Sequence, residues 1–143
     1  MKKEFSQHWT GSRQPRKQRK YRHNAPLHIR HKMISTNLSK ELRKKYGKRN
    51  FPLRKEDSVR IMRGEFFGKK GKIEGVDLKR LRVIIAGIFR TKKDGSKIPV
   101  YFDPSNLQIT ELNLNDKKRT ESLNKKNALN KIENKEHKTK EKK

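Results

Sequence analysis

Cysteine is absent from the 143 residues. That excludes disulfides and thiolate zinc sites and fits an intracellular protein. Acidic side chains are scarce: 15 Asp+Glu stand against 41 Lys+Arg, a formal charge of +26. Within residues 1–55 the only acids are Glu4 and Glu41. Charge of one sign at this density repels itself unless a polyanion neutralises it, and nucleic acid is the obvious polyanion. A membrane surface is the weaker alternative. No apolar run approaches the roughly 20 residues that span a bilayer, so membrane insertion is not expected. The basic start also lacks the apolar stretch of a secretory signal. Hydrophobic residues make up only 29% of the chain, so a core must come from a limited segment and the rest needs a partner or stays disordered.

What is present centres on residues 57–77, Asp-Ser-Val-Arg-Ile-Met-Arg-Gly-Glu-Phe-Phe-Gly-Lys-Lys-Gly-Lys-Ile-Glu-Gly-Val-Asp. Val59 and Ile61 alternate with Arg60 and Met62, which predicts a strand with one apolar face. Gly64, Gly68 and Gly71 then break the pattern before Ile73 and Val76. The reading is strand, glycine-rich turn, strand. The glycines either shape the turn or let backbone N–H groups form an anion site flanked by Lys69, Lys70 and Lys72. The spacing is not that of the phosphate-binding loop G-x-x-x-x-G-K-[ST].

Further strands are predicted at Val83–Phe89, Ile98–Phe102 and Leu107–Thr110. Asp94-Gly95 is a hairpin turn between the first two. Pro99 argues for an edge or a bulge. Five short strands separated by tight turns suit a small closed or half-closed β-barrel. Its expected core is Val59, Ile61, Ile73, Val76, Val83, Ile85, Val100, Leu107 and Ile109.

The flanks are basic. Residues 1–24 read as an extended arm carrying Arg13, Arg16, Lys17, Arg19, Lys20 and Arg22. It either threads RNA, with Trp9 and Tyr21 stacking on exposed bases, or is a solvated basic tail or localisation signal. Residues 25–55 read as a helical basic extension. One short helix is expected from an Asn24 N-cap, with Ala25, Ile29 and Met33 on its apolar stripe. A second is expected over Leu38–Tyr46, ended by Gly47. Proline keeps Asn50-Phe51-Pro52 extended. His28 and His31 are three apart, but no cysteine or carboxylate completes a metal set, so phosphate contact or solvation is the reading for both. Residues 114–143 read as a charged, largely disordered tail, with Leu123, Ala128, Leu129 and Ile132 forming at most one helical face on RNA.

Arg63-Gly64, Gly68-Lys69-Lys70-Gly71-Lys72-Ile73 and the strand before them resemble a KOW motif, with Gly71 as its near-invariant glycine. The preceding segments narrow the resemblance: Arg22-His23-Asn24-Ala25-Pro26-Leu27-His28-Ile29-Arg30, then Leu38-Ser39-Lys40-Glu41-Leu42-Arg43-Lys44-Lys45-Tyr46, then Pro52-Leu53-Arg54-Lys55-Glu56-Asp57. In that order, over roughly Ser12–Lys118, the chain resembles the archaeal and eukaryotic form of the universal KOW protein of the large ribosomal subunit, number twenty-four in bacterial naming. The resemblance implies a mainly β fold, an SH3-like five-stranded barrel over residues 56–113. It also implies binding to the 5′ region of the large ribosomal RNA early in assembly, a place near the peptide tunnel exit in the cytoplasmic ribosome, and ribosomal-protein neighbours. Factors that dock at the exit are further expected partners.

RNA contacts are expected at Arg63, Lys69, Lys70 and Lys72 in the hairpin, and at Arg13, Arg16, Lys17, Arg19, Lys20 and Arg22 in the arm. His28, Arg30, Arg43, Lys44, Lys48 and Arg49 are the expected contacts of the helical extension. The competing readings are a KOW module of a transcription elongation factor and a general nucleic-acid binder. No histidine–carboxylate–nucleophile arrangement, metal set or cofactor loop points to an enzyme, and no cofactor is expected.

Overall fold

A computed structural model of the protein describes residues 4–124. Three α-helices and seven strands follow one another: α1 (Pro15–Asn24), α2 (Leu27–Met33), β1 (Ser35–Leu38), α3 (Lys40–Tyr46), β2 (Asn50–Pro52), β3 (Ser58–Ile61), β4 (Lys70–Asp77), β5 (Arg82–Thr91), β6 (Lys97–Phe102) and β7 (Leu107–Glu111). Residues 117–124 form a further helix, α4. Single 3-10 turns sit at Gln7–Gly11 and Pro104–Asn106.

The strands pair in the order β2-β1-β7-β3-β4-β5-β6. β1 runs parallel to β7, and the other pairs are antiparallel. The five expected strands are β3 to β7. The sheet departs from expectation in two ways. β1 and β2 extend it from the segment expected to be helical or merely extended, and the hydrogen-bonded order is an open row rather than a closed five-stranded ring. Pro99 lies on β6, the last strand of that row.

The register explains why Leu38 is in a strand and not a helix. It pairs with Ile109 and is fully buried. The next residue, Ser39, caps α3, its hydroxyl accepting from the Leu42 N–H at 3.3 Å. A serine in extended geometry starts a helix after itself, so Leu38 is released to β1. Gly47 ends α3 at φ 60°, its N–H donating to the Arg43 carbonyl at 2.8 Å, as the sequence predicts. Ser39→Ala is expected to cost about 1 kcal/mol of stability in chemical denaturation, with the loss of protection in hydrogen exchange confined to α3.

Of the nine expected core residues, Val59, Ile61, Ile73, Val83, Ile85, Leu107 and Ile109 are buried, while Val76 and Val100 pack at the edge. The same cluster takes in Ile34, Leu38, Tyr46, Phe51, Leu53, Ile88, Phe102 and Leu123. The core therefore draws on the basic extension and on the start of the tail.

The arm is the largest departure. Residues expected to be extended form α1, with Pro15 at its first position, where a missing N–H costs little. Tyr21 is buried and stacked on Phe5 with centroids 5.2 Å apart. It joins Ala25 and Ile29, with Trp9 and Met33 packed against them. Gln18 fastens the 3-10 turn to α1, its amide donating to the carbonyls of Trp9, Thr10 and Ser12 at 3.1, 3.1 and 2.6 Å. Asn24 closes α1 rather than capping α2, and donates to the Glu4 carbonyl at 2.7 Å. A second small apolar cluster thus gathers side chains from three segments, which offsets the ordering cost that no one segment meets alone.

The tail also begins in order. Leu123 of α4 is buried in the main core and Arg119 pairs with Asp57 at 2.6 Å. Ala128, Leu129 and Ile132 lie outside the described residues. Among the described residues no helix is long and apolar enough to cross a membrane.

Candidate nucleic-acid interface

Two groups of cations stand free of the cores. The first is on β3 and β4. Alternation turns Val59 and Ile61 inward and Arg60 outward. The turn between the strands is held by its own backbone: Gly68 N–H donates to the Ile61 carbonyl at 2.9 Å, Phe67 to Gly64 at 3.0 Å, and Lys69 to Phe66 at 3.2 Å. Those N–H groups are engaged inside the turn, so here the glycines act by shape. Gly64 and Gly68 take φ of 93° and 82°, torsions that glycine adopts without strain. Phe66 tucks inward, edge-on to Phe102 at 6.0 Å.

Arg63, Lys69, Lys70 and Lys72 are all exposed. Lys70 stands directly opposite Arg60, and Gln108 of β7 flanks Arg60 on the other side. Like charges opposite one another across a strand pair repel. The Nε of Arg60 is buried without a hydrogen-bond partner among the described residues. Arg60 was not among the contacts the sequence suggests, although its place in the alternation was the available signal. Among the described residues neither Arg60 nor Lys70 makes an ion pair.

The second group lies on α1 and just before it. Arg13, Arg16, Lys17, Arg19, Lys20 and Arg22 are exposed, and the Lys20 ammonium sits 5.6 Å over the Trp9 ring. Arg19 and Arg22 line one wall of a cleft of about 770 Å³ whose other wall carries Lys79 and Arg80 of the β4–β5 turn. Those two cations were missed. The basic run Lys79-Arg80-Leu81-Arg82 was visible in the sequence, but nothing there placed it opposite α1.

The helical extension divides. His28, Lys44 and Arg49 are exposed. Arg30 is turned to internal use: its Nε donates to the Ala25 carbonyl at 2.8 Å and its Nη2 to the His23 carbonyl at 2.5 Å. The Arg43 Nε donates to the Leu38 carbonyl at 2.8 Å. Lys48 donates to the Ser122 carbonyl and lies 5.2 Å over the Phe51 ring. Tyr21, expected to stack on bases, is instead buried against Phe5, and Trp9 is half-buried.

The acids near these surfaces are structural. Asp94 shapes its hairpin turn, accepting from the Ser96 hydroxyl and N–H at 2.6 and 2.9 Å. Those bonds, the hydroxyl first, hold its carboxyl below the ordinary carboxylate range. Asp103 pairs with Arg82 at 3.5 Å. Among the described residues no three His, Cys, Asp or Glu side chains are grouped to hold a metal ion.

Residues 12–126 match the family described as the ribosomal proteins L26 of eukaryotes and L24 of archaea. The chain is 51% identical over 115 residues to large ribosomal subunit protein uL24 of Methanosphaera stadtmanae, covering 80% of this chain and 98% of that protein. It is 50% identical over 112 residues to the protein of the same name from Methanoculleus marisnigri, covering 78% and 93%. It is 47% identical over 115 residues to that of Korarchaeum cryptofilum, covering 80% and 88%. An open, sheet-rich domain dressed with exposed cations, matched along four-fifths of its length by such relatives, belongs to the archaeal L24 and eukaryotic L26 family of large-subunit ribosomal proteins.

Proposed function

We propose that the protein binds the large ribosomal RNA by neutralising phosphates that approach one another as the RNA folds, and that it fixes its own orientation through the β3–β4 face. The observation that carries this reading is Arg60 facing Lys70 across β3 and β4, with neither side chain in an ion pair among the described residues. Ribosomal protein, structural and not catalytic, is what family membership itself makes it, with the cytoplasmic ribosome as its place. The finer parts rest on the resemblance: the 5′ region of the RNA as target, early entry into assembly, a seat near the tunnel exit, and contact there with ribosomal neighbours and docking factors.

An SH3-like barrel over β3 to β7 belongs to the same reading. Phe102 at the end of β6 and Leu107 at the start of β7, four strands apart in the row, share one core and are joined by a single 3-10 turn. This is support for a sheet that curls on itself.

Lys69, Lys70 and Lys72 replaced together by alanine should flatten the salt dependence of RNA binding by about 0.7–0.9 unit of log–log slope for each phosphate no longer neutralised. Affinity measured across a salt series checks it, and an unchanged slope removes the hairpin from the interface. Sedimentation of the full chain with the large subunit through moderate salt tests the assembly reading, and release at low salt would return the protein to general nucleic-acid binders.

A further inference from the structure

We infer that the cleft between α1 and the β4–β5 turn seats a single-stranded stretch of RNA, with phosphates against its two cationic walls and a base against its apolar lining. The inference rests on the RNA-binding reading and names the form of RNA this second site takes. Arg19 and Arg22 come from one wall, Lys79 and Arg80 from the other. All four are exposed. Among the described residues Arg19, Arg22 and Lys79 make no side-chain hydrogen bond or ion pair, and Arg80 has only a 4.0 Å contact with Asp77.

The wall that carries Lys79 and Arg80 is set in advance. Asp77 accepts from both their backbone N–H groups, at 2.9 and 3.0 Å, and Leu81 completes the turn at φ 57°. Holding a turn before binding reduces the ordering cost at binding. Asp103, which also lines the cleft, pairs with Arg82 at 3.5 Å, and four wall cations outnumber it.

The lining separates single strand from duplex. Half-buried Met33 and Leu81 line the cleft, with buried Tyr21 and Pro104 behind them. Apolar lining beside exposed cations suits a splayed base with its phosphates on either side, and guanidinium planes such as those of Arg19 and Arg22 also stack on bases. In a duplex the base faces are stacked on each other and only base edges, sugars and phosphates are presented, which leaves the apolar lining without a partner.

The test is fluorescence anisotropy of the full chain with a short unstructured RNA oligomer and with an RNA duplex of equal length, at one salt concentration. The variant R22Q/R80Q should bind the single strand about tenfold more weakly and lose several-fold less on the duplex. K92Q/K93Q removes the same charge from the exposed β5–β6 turn and should leave both within about twofold. Equal losses on single strand and duplex, or a matching loss in K92Q/K93Q, would reduce the cleft to general charge and overturn the inference. Single-strand binding unchanged in R22Q/R80Q, with RNA binding intact, sinks the cleft alone. An unmodified chain that binds neither RNA sinks the RNA-binding reading with it. If R22Q/R80Q fails to fold by circular dichroism, R19Q/K79Q carries the same expectation from the two other wall positions.

Discussion

Replacing Arg119 by leucine is expected to lower the free energy of unfolding by about 3 kcal/mol or more. Its guanidinium meets both oxygens of Asp57, Nη1 to Oδ1 at 2.7 Å and Nη2 to Oδ2 at 2.6 Å. The two side chains are 2% and 0% exposed, so solvent screening does not weaken the pair. The same guanidinium donates to the carbonyls of Asn113 and Pro52 at 2.7 and 3.2 Å and lies 5.4 Å from the Phe51 ring. Deleting it leaves a buried carboxylate whose remaining partners are the N–H groups of Arg54 and Asn113, each at 2.9 Å, and two carbonyls short of a donor.

A buried pair is a poor net stabiliser against apolar replacement, yet breaking one side of it is costly. D57N/R119L removes both charges while the asparagine oxygen still accepts, so it should be more stable than R119L alone. Urea denaturation followed by circular dichroism measures both variants, and hydrogen exchange over 117–124 reports whether α4 detaches with Leu123. A loss below about 0.5 kcal/mol, the size of an ordinary surface substitution, would mean that α4 does not dock on the sheet in solution.

Why this clasp escaped the sequence is physical. Asp57 and Arg119 are 62 residues apart, and each sits among charged neighbours from which nothing local distinguishes it. Leu123 reads with Ala128, Leu129 and Ile132 as one weak helical face in a lysine- and asparagine-rich run, and nothing in that pattern directs it to the sheet. Asp116 adds a second tie, to Arg54, and that hydrogen bond is the main cause of its lowered carboxyl pKa.

The arm escaped for the same reason. Tyr21, Ala25 and Ile29 are spaced by four, but the partners that bury them, Phe5 and Trp9, come from outside that stripe. What was legible is what local chemistry decides: the alternation of β3, the Asp94-Gly95 turn, the Gly47 helix end and the extended run into Pro52. The cations were legible as a total and less so one by one. Arg30 and Arg43 each satisfy a carbonyl five residues back, and composition gives no hint of which guanidinium reaches outward and which completes the end of a neighbouring element.

Gly71→Ala is expected to destabilise the fold by about 1–3 kcal/mol, the range for forcing a methyl group into a packed core. The reason is space and not torsion. Gly71 has no positive φ, whereas Gly64 and Gly68 do and have nothing within 4 Å of an added Cβ. A Cβ at Gly71 would come within 2.6 Å of the Ile85 Cγ2 and 3.1 Å of the Ala86 carbonyl oxygen. Neither neighbour yields easily: Ile85 is 1% exposed on β5 with a stiff β-branched side chain, and Ala86 offers backbone.

The strands meet so closely because β4 is bound on both sides, Gly71 opposite Val59 on β3 and Ile73 opposite Ile85 on β5. A shift to relieve the clash would therefore disturb two ladders. Gly64→Ala and Gly68→Ala should act through torsional strain alone, at about 1 kcal/mol each. Ile85→Leu removes the branch that the new methyl would strike, so in G71A/I85L the two losses should sum to more than the double variant shows. Denaturant midpoints at unchanged m-value measure the cycle. Strict additivity would place the strain at the Ala86 carbonyl, and a neutral G71A would show that β4 and β5 separate at little cost, in which case the glycine at this point of the hairpin answers to what binds outside it rather than to the packing within.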